Sequence, residues 1–508
     1  MMKRTGLLIM ATLWGWGGWE IPATADENAP GQNGAPVYAV FWFDTEDYIL
    51  PESDDAAKRI AELFTSRKAQ ATFKIVGEKA RMLRERGRED VILALARNDI
   101  AYHSTYHSLH PTPSEYSRDL DWNEGVQEFI RREGVGLQWL RQIFGVNASC
   151  YGQPGGSWTP ESYAALREWN IPLYLDVTDH VNLGNRPFWY GGVLNILELG
   201  DCVVRTDGWM EEDVKAACRR YDAAAEKLQG EGGGIISIYY HPCEFVHREF
   251  WDGVNFAHGA NPSREQWKRP PVKSPAEREQ AFQALERLLD HVIGHPATRI
   301  VTAREIPSLY PDKAYDRPLS REDVLKIARR FSQAITFVTL DPDRIVSAAE
   351  GMYALAAYFA RTGDLNIDPA ALPNPALESI ELRFAFGPAA RAERFVTEGS
   401  FPRNRMIEAA RELVSILDQT GQMPSVAWVD GKPLRPEDFA ATLAQCILGS
   451  GDSCPLRPGS FEAGKYVPDD RPGLWGWIIF PEGFNAPKLM ETARLQAWTI
   501  KPAVLRTE

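Results

Sequence analysis

Apolar runs and helical stripes alternate along residues 36–312. Val37–Phe43 is continuously apolar and ends in Asp44, the pattern of a strand buried on both faces. After it, Ser53 is placed to cap a stretch in which Ala56, Ala57, Ile60, Leu63 and Phe64 recur at helical spacing. Ala71–Val76 predicts a second strand, stopped by Gly77. A helical stretch continues to about Asn98, weakened at Gly87, and Ile100-Ala101-Tyr102 makes a short strand. Farther on, Thr159-Pro160 opens a helix, and Leu173–Leu175 reads as a strand. Val214, Cys218, Tyr221, Ala225 and Leu228 form a stripe ending at Gly230, followed by the apolar strand Ile235–Tyr240. Ser274-Pro275-Ala276-Glu277 is a capping box that opens a helix to about Val292, and Arg299-Ile300-Val301 closes the series. Alternation of this kind predicts an α/β fold, either a parallel barrel or a doubly wound sheet. Active sites of both gather at the C-terminal ends of strands.

The pattern changes over 313–508. Ser320-Arg321-Glu322-Asp323 opens an amphipathic helix carrying Val324, Ile327, Ala328 and Phe331, and a second helix runs near Val346–Phe359. The same layout returns with helices near Met406–Leu417 and Pro436–Leu448, separated by a hairpin at Val426–Val429 and Asp430-Gly431. Asp341-Pro342-Asp343-Arg344 holds the corresponding place in the first pair. A mainly helical accessory domain with a degenerate repeat is expected here.

Composition narrows the class. Hydrophobic residues make up 44% and charged residues 25%, which are globular values. A net charge of −13 argues against nucleic acid or an anionic membrane as the main partner. Lys3 and Arg4, an apolar Trp-rich stretch from Leu7 to Trp19, and Ala23-Thr24-Ala25 read as a cleaved export leader over 1–25, with a polar linker over 26–35. No later segment is apolar and long enough to span a bilayer, so an exported, periplasmic or extracellular protein is expected. Export permits disulfides, and Cys446 with Cys454 is the best candidate pair among the six cysteines. Cys150, Cys202, Cys218 and Cys243 are two further pairs or buried thiols.

Three of the nine histidines fall in His103-Ser104-Thr105-Tyr106-His107-Ser108-Leu109-His110. His at i and i+4 on a helical turn reach one point, which suits two imidazole ligands on one metal. Asp44-Thr45-Glu46-Asp47 stacks three carboxylates at the end of a buried strand, costly unless a cation compensates them. A divalent cation, most simply Zn²⁺, held by His103, His107 and either Glu46 or Asp47 meets that need. His241 follows strand Ile235–Tyr240 directly and is placed to give a proton to a leaving group. Trp158, Trp189 and Tyr190 are expected in loops, where they either stack on sugar rings or anchor the rim.

On these residues, 36–312 resembles the polysaccharide deacetylase family, carbohydrate esterase family 4. The segments that carry the resemblance are Phe43-Asp44-Thr45-Glu46-Asp47, Ala71–Gly77, His103–His107, Asp176-Val177-Thr178-Asp179-His180 and Ile238–Pro242. It implies an irregular (β/α) barrel of seven or eight strands, with Asp44 as catalytic base and Glu46 or Asp47 with His103 and His107 on the metal. It further implies His241 as general acid, tuned by Asp179, and a substrate-lining loop that includes Pro154 and Gly155. The family's Arg-x-Pro-x-Gly segment stands here as Gly152-Gln153-Pro154-Gly155-Gly156, without the arginine that pairs with the base.

The expected activity is therefore removal of acetyl groups from a polysaccharide or cell-wall glycan by a metal-dependent hydrolase. Two other readings compete with it. One is hydrolysis of a different amide, such as a cyclic one, on the same barrel; the other is a catalytically weak glycan-binding protein. Metal ligands count against a pure binder.

Overall fold

A computed structural model describes residues 35–362 and 379–506. The expected leader (1–25) and nearly all of the expected linker (26–35) lie outside the described residues. In the first 310 residues the strands are β1 (Val37–Thr45), β2 (Thr72–Ile75), β3 (Asp99–Tyr102), β4 (Leu173–Leu175), β5 (Phe188–Tyr190), β6 (Val193–Ile196), β7 (Val203–Val204), β8 (Gly234–Tyr240) and β9 (Thr298–Val301). β1 is buried along its whole length, as its unbroken apolar run predicts. It pairs in parallel with β8 on one side. On the other side β2 takes its C-terminal end and β9 its N-terminal end. β2 continues to β3, and single parallel bridges through Tyr151 carry the path on to β4. Beyond β4 lie β6, β5 and the short strand Lys501–Pro502. Among the described residues no strand pairing joins β7 to that far edge.

Helices Glu52–Ser66, Gly77–Glu85, Trp122–Phe144, Glu211–Gly230 and Pro275–Gly294 connect the strands. Each buries one stripe; Ala56, Ala57, Ile60, Ala61 and Phe64 do so on the first. That helix begins at Glu52 after Pro51, so Ser53 lies inside the first turn rather than capping it. Its hydroxyl instead donates to Asp47.

The second half repeats one order, helix, hairpin, helix. Arg321–Phe331, the strands Val338–Asp341 and Arg344–Val346, and Ala348–Thr362 make the first unit. Arg403–Thr420, the strands Ala427–Val429 and Lys432–Leu434, and Pro436–Leu448 make the second. Asp430 and Gly431 take φ of 50° and 72°, the left-handed pair that a tight hairpin turn needs. Cys446 is disulfide-bonded to Cys454, and the other four cysteines are free thiols.

Among the described residues two large apolar cores form, with a small third cluster of Tyr48, Val76, Cys243, Trp251, Phe256 and Ile479. The first surrounds β1 and takes in Ala463, Leu474, Trp475, Phe480, Leu489, Ala497 and Ile500 from the chain's end. The second lies among helices Arg321–Phe331, Ala348–Thr362, Arg403–Thr420 and Pro436–Leu448. The rings of Phe461 and Trp498 stack at 4.8 Å where the cores meet. Nearby, the buried Lys501 ammonium joins Glu350 at 2.9 Å and Asp312 at 2.8 Å, compensating charges that burial alone would make costly. Among the described residues no helix is long and apolar enough to cross a membrane.

Candidate metal centre

The period-two geometry of β1 puts Trp42, Asp44 and Glu46 on one side and Phe41, Phe43 and Thr45 on the other. Register then assembles the neighbours. Lys74 on β2 lies opposite Asp44, and Tyr240 on β8 lies opposite Phe43, which brings His241 level with Asp44. β3 ends beside Ile75, and the chain turns there into His103.

His103 and His107 do not converge on a helical turn, as their spacing suggests. Ser104 and His107 take φ of 64° and 57°, left-handed values that are uncommon away from glycine. The turn is held from beneath. The first two amides of helix Gly77–Glu85 donate to the Ser104 and Thr105 carbonyls at 2.9 Å, and the Thr105 amide donates to Glu133 Oε2 at 2.6 Å. The Ser104 hydroxyl accepts from the His107 amide at 3.1 Å. A strained backbone so braced aims both imidazoles at one point.

Glu46 Oε2 lies 2.9 Å from His107 Nε2 and 3.6 Å from His103 Nε2. One ligand atom from each of the three falls within 4.8 Å of the others. The far nitrogens are already engaged: His103 Nδ1 donates to the Gly152 carbonyl at 3.0 Å, and His107 Nδ1 meets Ser108 Oγ at 2.6 Å. That bond places the His103 proton on Nδ1 and turns its Nε2 lone pair inward. Both Nε2 atoms are buried without a hydrogen bond. Two orphaned imidazole lone pairs and one carboxylate are the donor set of a hydrolytic zinc site, so the residues fit a divalent cation. Burial works against the ionised Glu46, but His107, His241 and His103 outweigh it and hold its carboxyl well below the ordinary value. Trp251 Nε1 donates to its other oxygen at 2.8 Å.

His241 Nε2 stands 3.7 Å from Asp44 Oδ2 and 4.0 Å from Glu46 Oε2. Pro242 starts a short 3₁₀ turn that swings Glu244 back, so that Oε1 accepts from the His241 amide at 3.2 Å and pairs with Nδ1. Burial disfavours the imidazolium, yet Glu46, Glu244 and Asp44 together raise the pKa of His241 to about 9. A cavity of about 340 Å³ opens beside it, lined by Arg205, Trp209, Glu244, Phe250 and Lys273. A second, of about 490 Å³, reaches His107 past Ser104, Tyr106 and Pro113.

The chain is similar to solved polysaccharide deacetylases. One from Mycobacterium smegmatis is 13% identical over 55% of this chain and 92% of its own, with a TM-score of 0.37. One from Pseudomonas aeruginosa PAO1 is 14% identical over 55% and 93%, also at 0.37. The Puue allantoinase structure is 14% identical over 55% and 92%, at 0.36. No family model matches the chain, and no curated protein does.

Several candidates named from the sequence sit elsewhere. Asp47 points away from the cluster: its carboxylate accepts from the Ile49 and Leu50 amides at 2.8 and 3.1 Å, bonds Ser53, and pairs with His247 at 3.0 Å. It closes the turn into the first helix and has no lone pair free for a metal. Asp179 is exposed and accepts from Asn182 at 3.2 Å; Glu244, not Asp179, holds His241. Trp158 is fully buried and stacks on His180 at 5.3 Å, so it offers no face to a sugar. Trp189 and Tyr190 belong to β5, where Trp189 pairs with Lys501 at the far edge of the sheet. Pro154 is buried, and Gly155, at φ +47°, lies against Trp477.

Trp477, Trp251 and Asp252 carried no signal in the sequence. Trp477 arrives from the far end of the chain, stands edge-to-face on His107 at 5.2 Å, and donates from Nε1 to Asp252 Oδ2 at 2.9 Å. A Cβ on Gly155 would sit 2.3 Å from its ring. Gln153 is buried beside this loop with neither amide atom bonded.

Lys74 is also part of the site. Its ammonium is buried, forms an ion pair with Asp44 Oδ1 at 2.9 Å, and donates to Asp176 Oδ2 at 2.8 Å and the Leu175 carbonyl at 2.9 Å. Burial opposes its charge, but Asp176 and Asp44 outweigh that and raise its pKa above the ordinary value. Asp44, His103 and Asp176 are also close enough to hold a metal, but the ammonium already pairs with both carboxylates.

Proposed function

We propose that this protein is an exported, zinc-dependent hydrolase that removes acetyl groups from a polysaccharide or cell-wall glycan, on an irregular parallel barrel. The observation that carries the reading is the convergence of the two buried imidazole Nε2 atoms and Glu46 on one point, with Asp44 and His241 beside it.

Glu46, His103 and His107 would hold the divalent cation. Such a cation supplies Lewis acidity toward an acyl oxygen and a nearby water. Asp44 Oδ2 accepts the proton of the attacking water, because Oδ1 is committed to Lys74. Attack on the acyl carbon gives a tetrahedral species, whose collapse breaks the C–N bond. His241 Nε2 gives its proton to the departing nitrogen, and Glu244 at Nδ1 stabilises the charged ring before transfer. Acetate and a free amine leave. The leader over 1–25 carries the export part of the reading.

One observation favours a second reading for the substrate. Asp44, Glu46, His103 and His107 are each at most 4% exposed, and Trp477 covers His107. So enclosed a site suits a chain end or a compact amide better than the middle of a polymer. Purified protein, assayed for bound zinc and for acetate release from acetylated chito-oligosaccharides, tests both. Zinc at one per chain with acetate release supports the first reading. Zinc without acetate release, but with opening of a small amide, supports the second. A His103→Ala variant that keeps zinc and full activity contradicts both.

A further inference from the structure

Two carboxylates, Asp44 on β1 and Asp176 just after β4, end up in the interior at the C-terminal ends of their strands, 4% and 7% exposed. Lys74 stands between them, fully buried, with its ammonium over the Trp42 ring at 4.0 Å. The room for that ammonium is made by Gly152. A Cβ at 152 would lie 2.2 Å from Lys74 Nζ and 2.5 Å from Asp176 Oδ2. A side chain at 152 and the ammonium of Lys74 therefore exclude one another. The loop presents no cation of its own at this point, and the cation comes instead from the adjacent strand.

We propose that Lys74 is a positioning residue for the hydrolytic step, clamping Asp44 by its Oδ1 so that Oδ2 alone faces His241 and the attacking water, with Gly152 as its obligatory partner. This rests on the assignment of Asp44 as the proton acceptor. The clamp works by geometry. Oδ1 is held at 2.9 Å by the ammonium and stands 3.6 Å from His103 Nδ1, while Oδ2 faces His241 at 3.7 Å. Asp176 and the Leu175 carbonyl fix the ammonium from behind, so neither the lysine nor the carboxylate can swing. Without the cation the carboxylate is free to turn about its last bond, and the productive orientation becomes one of several.

The test uses the zinc-loaded full chain, with an acetylated chito-oligosaccharide as probe and circular dichroism as the check on folding. Lys74→Gln is expected to lower kcat by ~10²-fold, the lower end of what a positioned base contributes. KM should stay within about twofold and zinc stoichiometry should not change, because the contacts of Lys74 are with Asp44, Asp176, the Leu175 carbonyl and Trp42 and not with Glu46, His103 or His107. Gly152→Arg alone, which forces a second cation onto Lys74, is expected to lose activity. Combined with Lys74→Ala, the same arginine reaches the vacated place and should recover at least ~10-fold in kcat over Lys74→Ala. A merely structural lysine has no reason to give that reversal of sign. The inference is overturned if folded Lys74→Gln keeps its kcat, or if the double variant is no better than Lys74→Ala. Should Lys74→Gln fail to fold, the comparison of double with single variants decides. Wild-type protein that neither binds zinc nor releases acetate overturns the hydrolase reading and this inference together, whereas a fully active Lys74→Gln overturns the inference alone.

Discussion

Replacing Glu244 with Gln isolates the charge behind the proton donor. His241 has three anionic neighbours, Glu46 and Asp44 on its Nε2 side and Glu244 on its Nδ1 side, and their sum brings its pKa to about 9 despite burial. Gln keeps the shape and an oxygen acceptor for the backbone amide but removes one full charge in direct contact. A neighbouring charge inside a protein moves a pKa by about 1–3 pH units, equivalent to ~1.4–4 kcal/mol. The Arg205 guanidinium, which bonds Glu244 Oε2 at 2.7 Å, then loses its neutralising partner and pushes the same way. In Glu244→Gln the pKa of His241 should therefore fall by at least about 1 pH unit. The sign follows: a protonated His241 is favoured below its pKa, so the alkaline limb of kcat/KM moves to lower pH. NMR titration of the histidine rings measures the first quantity in metal-free protein, and the pH profile measures the second in loaded protein. An unchanged His241 pKa in a folded variant would refute the assignment of Glu244 as its partner.

Two further perturbations probe the surroundings. Burial pushes the Glu161 carboxyl up to about 7, while the unfolded chain ionises near 4.5. The native state thus holds a proton that the unfolded state has lost, and this group's contribution to stability falls as pH rises from about 4.5 to 7. Glu161→Gln should match wild type near pH 4 and exceed it by about 3 kcal/mol above pH 7 in denaturant titrations; a difference independent of pH rejects this. Gly155→Ala adds a Cβ at φ +47° and 2.3 Å from the Trp477 ring, so it should cost ~1–3 kcal/mol and lower Tm. That cost should shrink when Trp477 is already Ala; full additivity in the double variant rules out the contact.

Much of the site was legible because strands have a period of two and end where their apolar run ends. β1 had to deliver Asp44 and Glu46 to one side, and Ile235–Tyr240 had to end at His241. The same period separates Glu46 from Asp47, although the acidic run alone left the two open; the Asx turn to Ile49 and Leu50 settles where Asp47 goes. The His-x-x-x-His spacing pointed to two imidazoles that do approach one another, but through a different backbone, since two left-handed residues replace the helical turn. Asp179 failed because proximity in sequence to a strand end says nothing about which way a loop folds; Glu244, three residues from His241, had the shorter route. Lys74 was visible only as one residue of an apolar strand, and its role needs the cross-strand register. Trp477 lies hundreds of residues from His107, and no local pattern announces a contact of that range. In the second half, helix periodicity and Asp430-Gly431 marked individual helices and one hairpin turn.

X-ray absorption at the zinc edge, on purified protein and on its His107→Ala variant, tests the metal centre most directly. One zinc per chain is expected, bound by two imidazole nitrogens and carboxylate oxygen, with Zn–N of about 2.0–2.1 Å and no sulfur, and one imidazole fewer in the variant. A protein that binds no zinc, or binds it through sulfur or with an unchanged shell in His107→Ala, contradicts it.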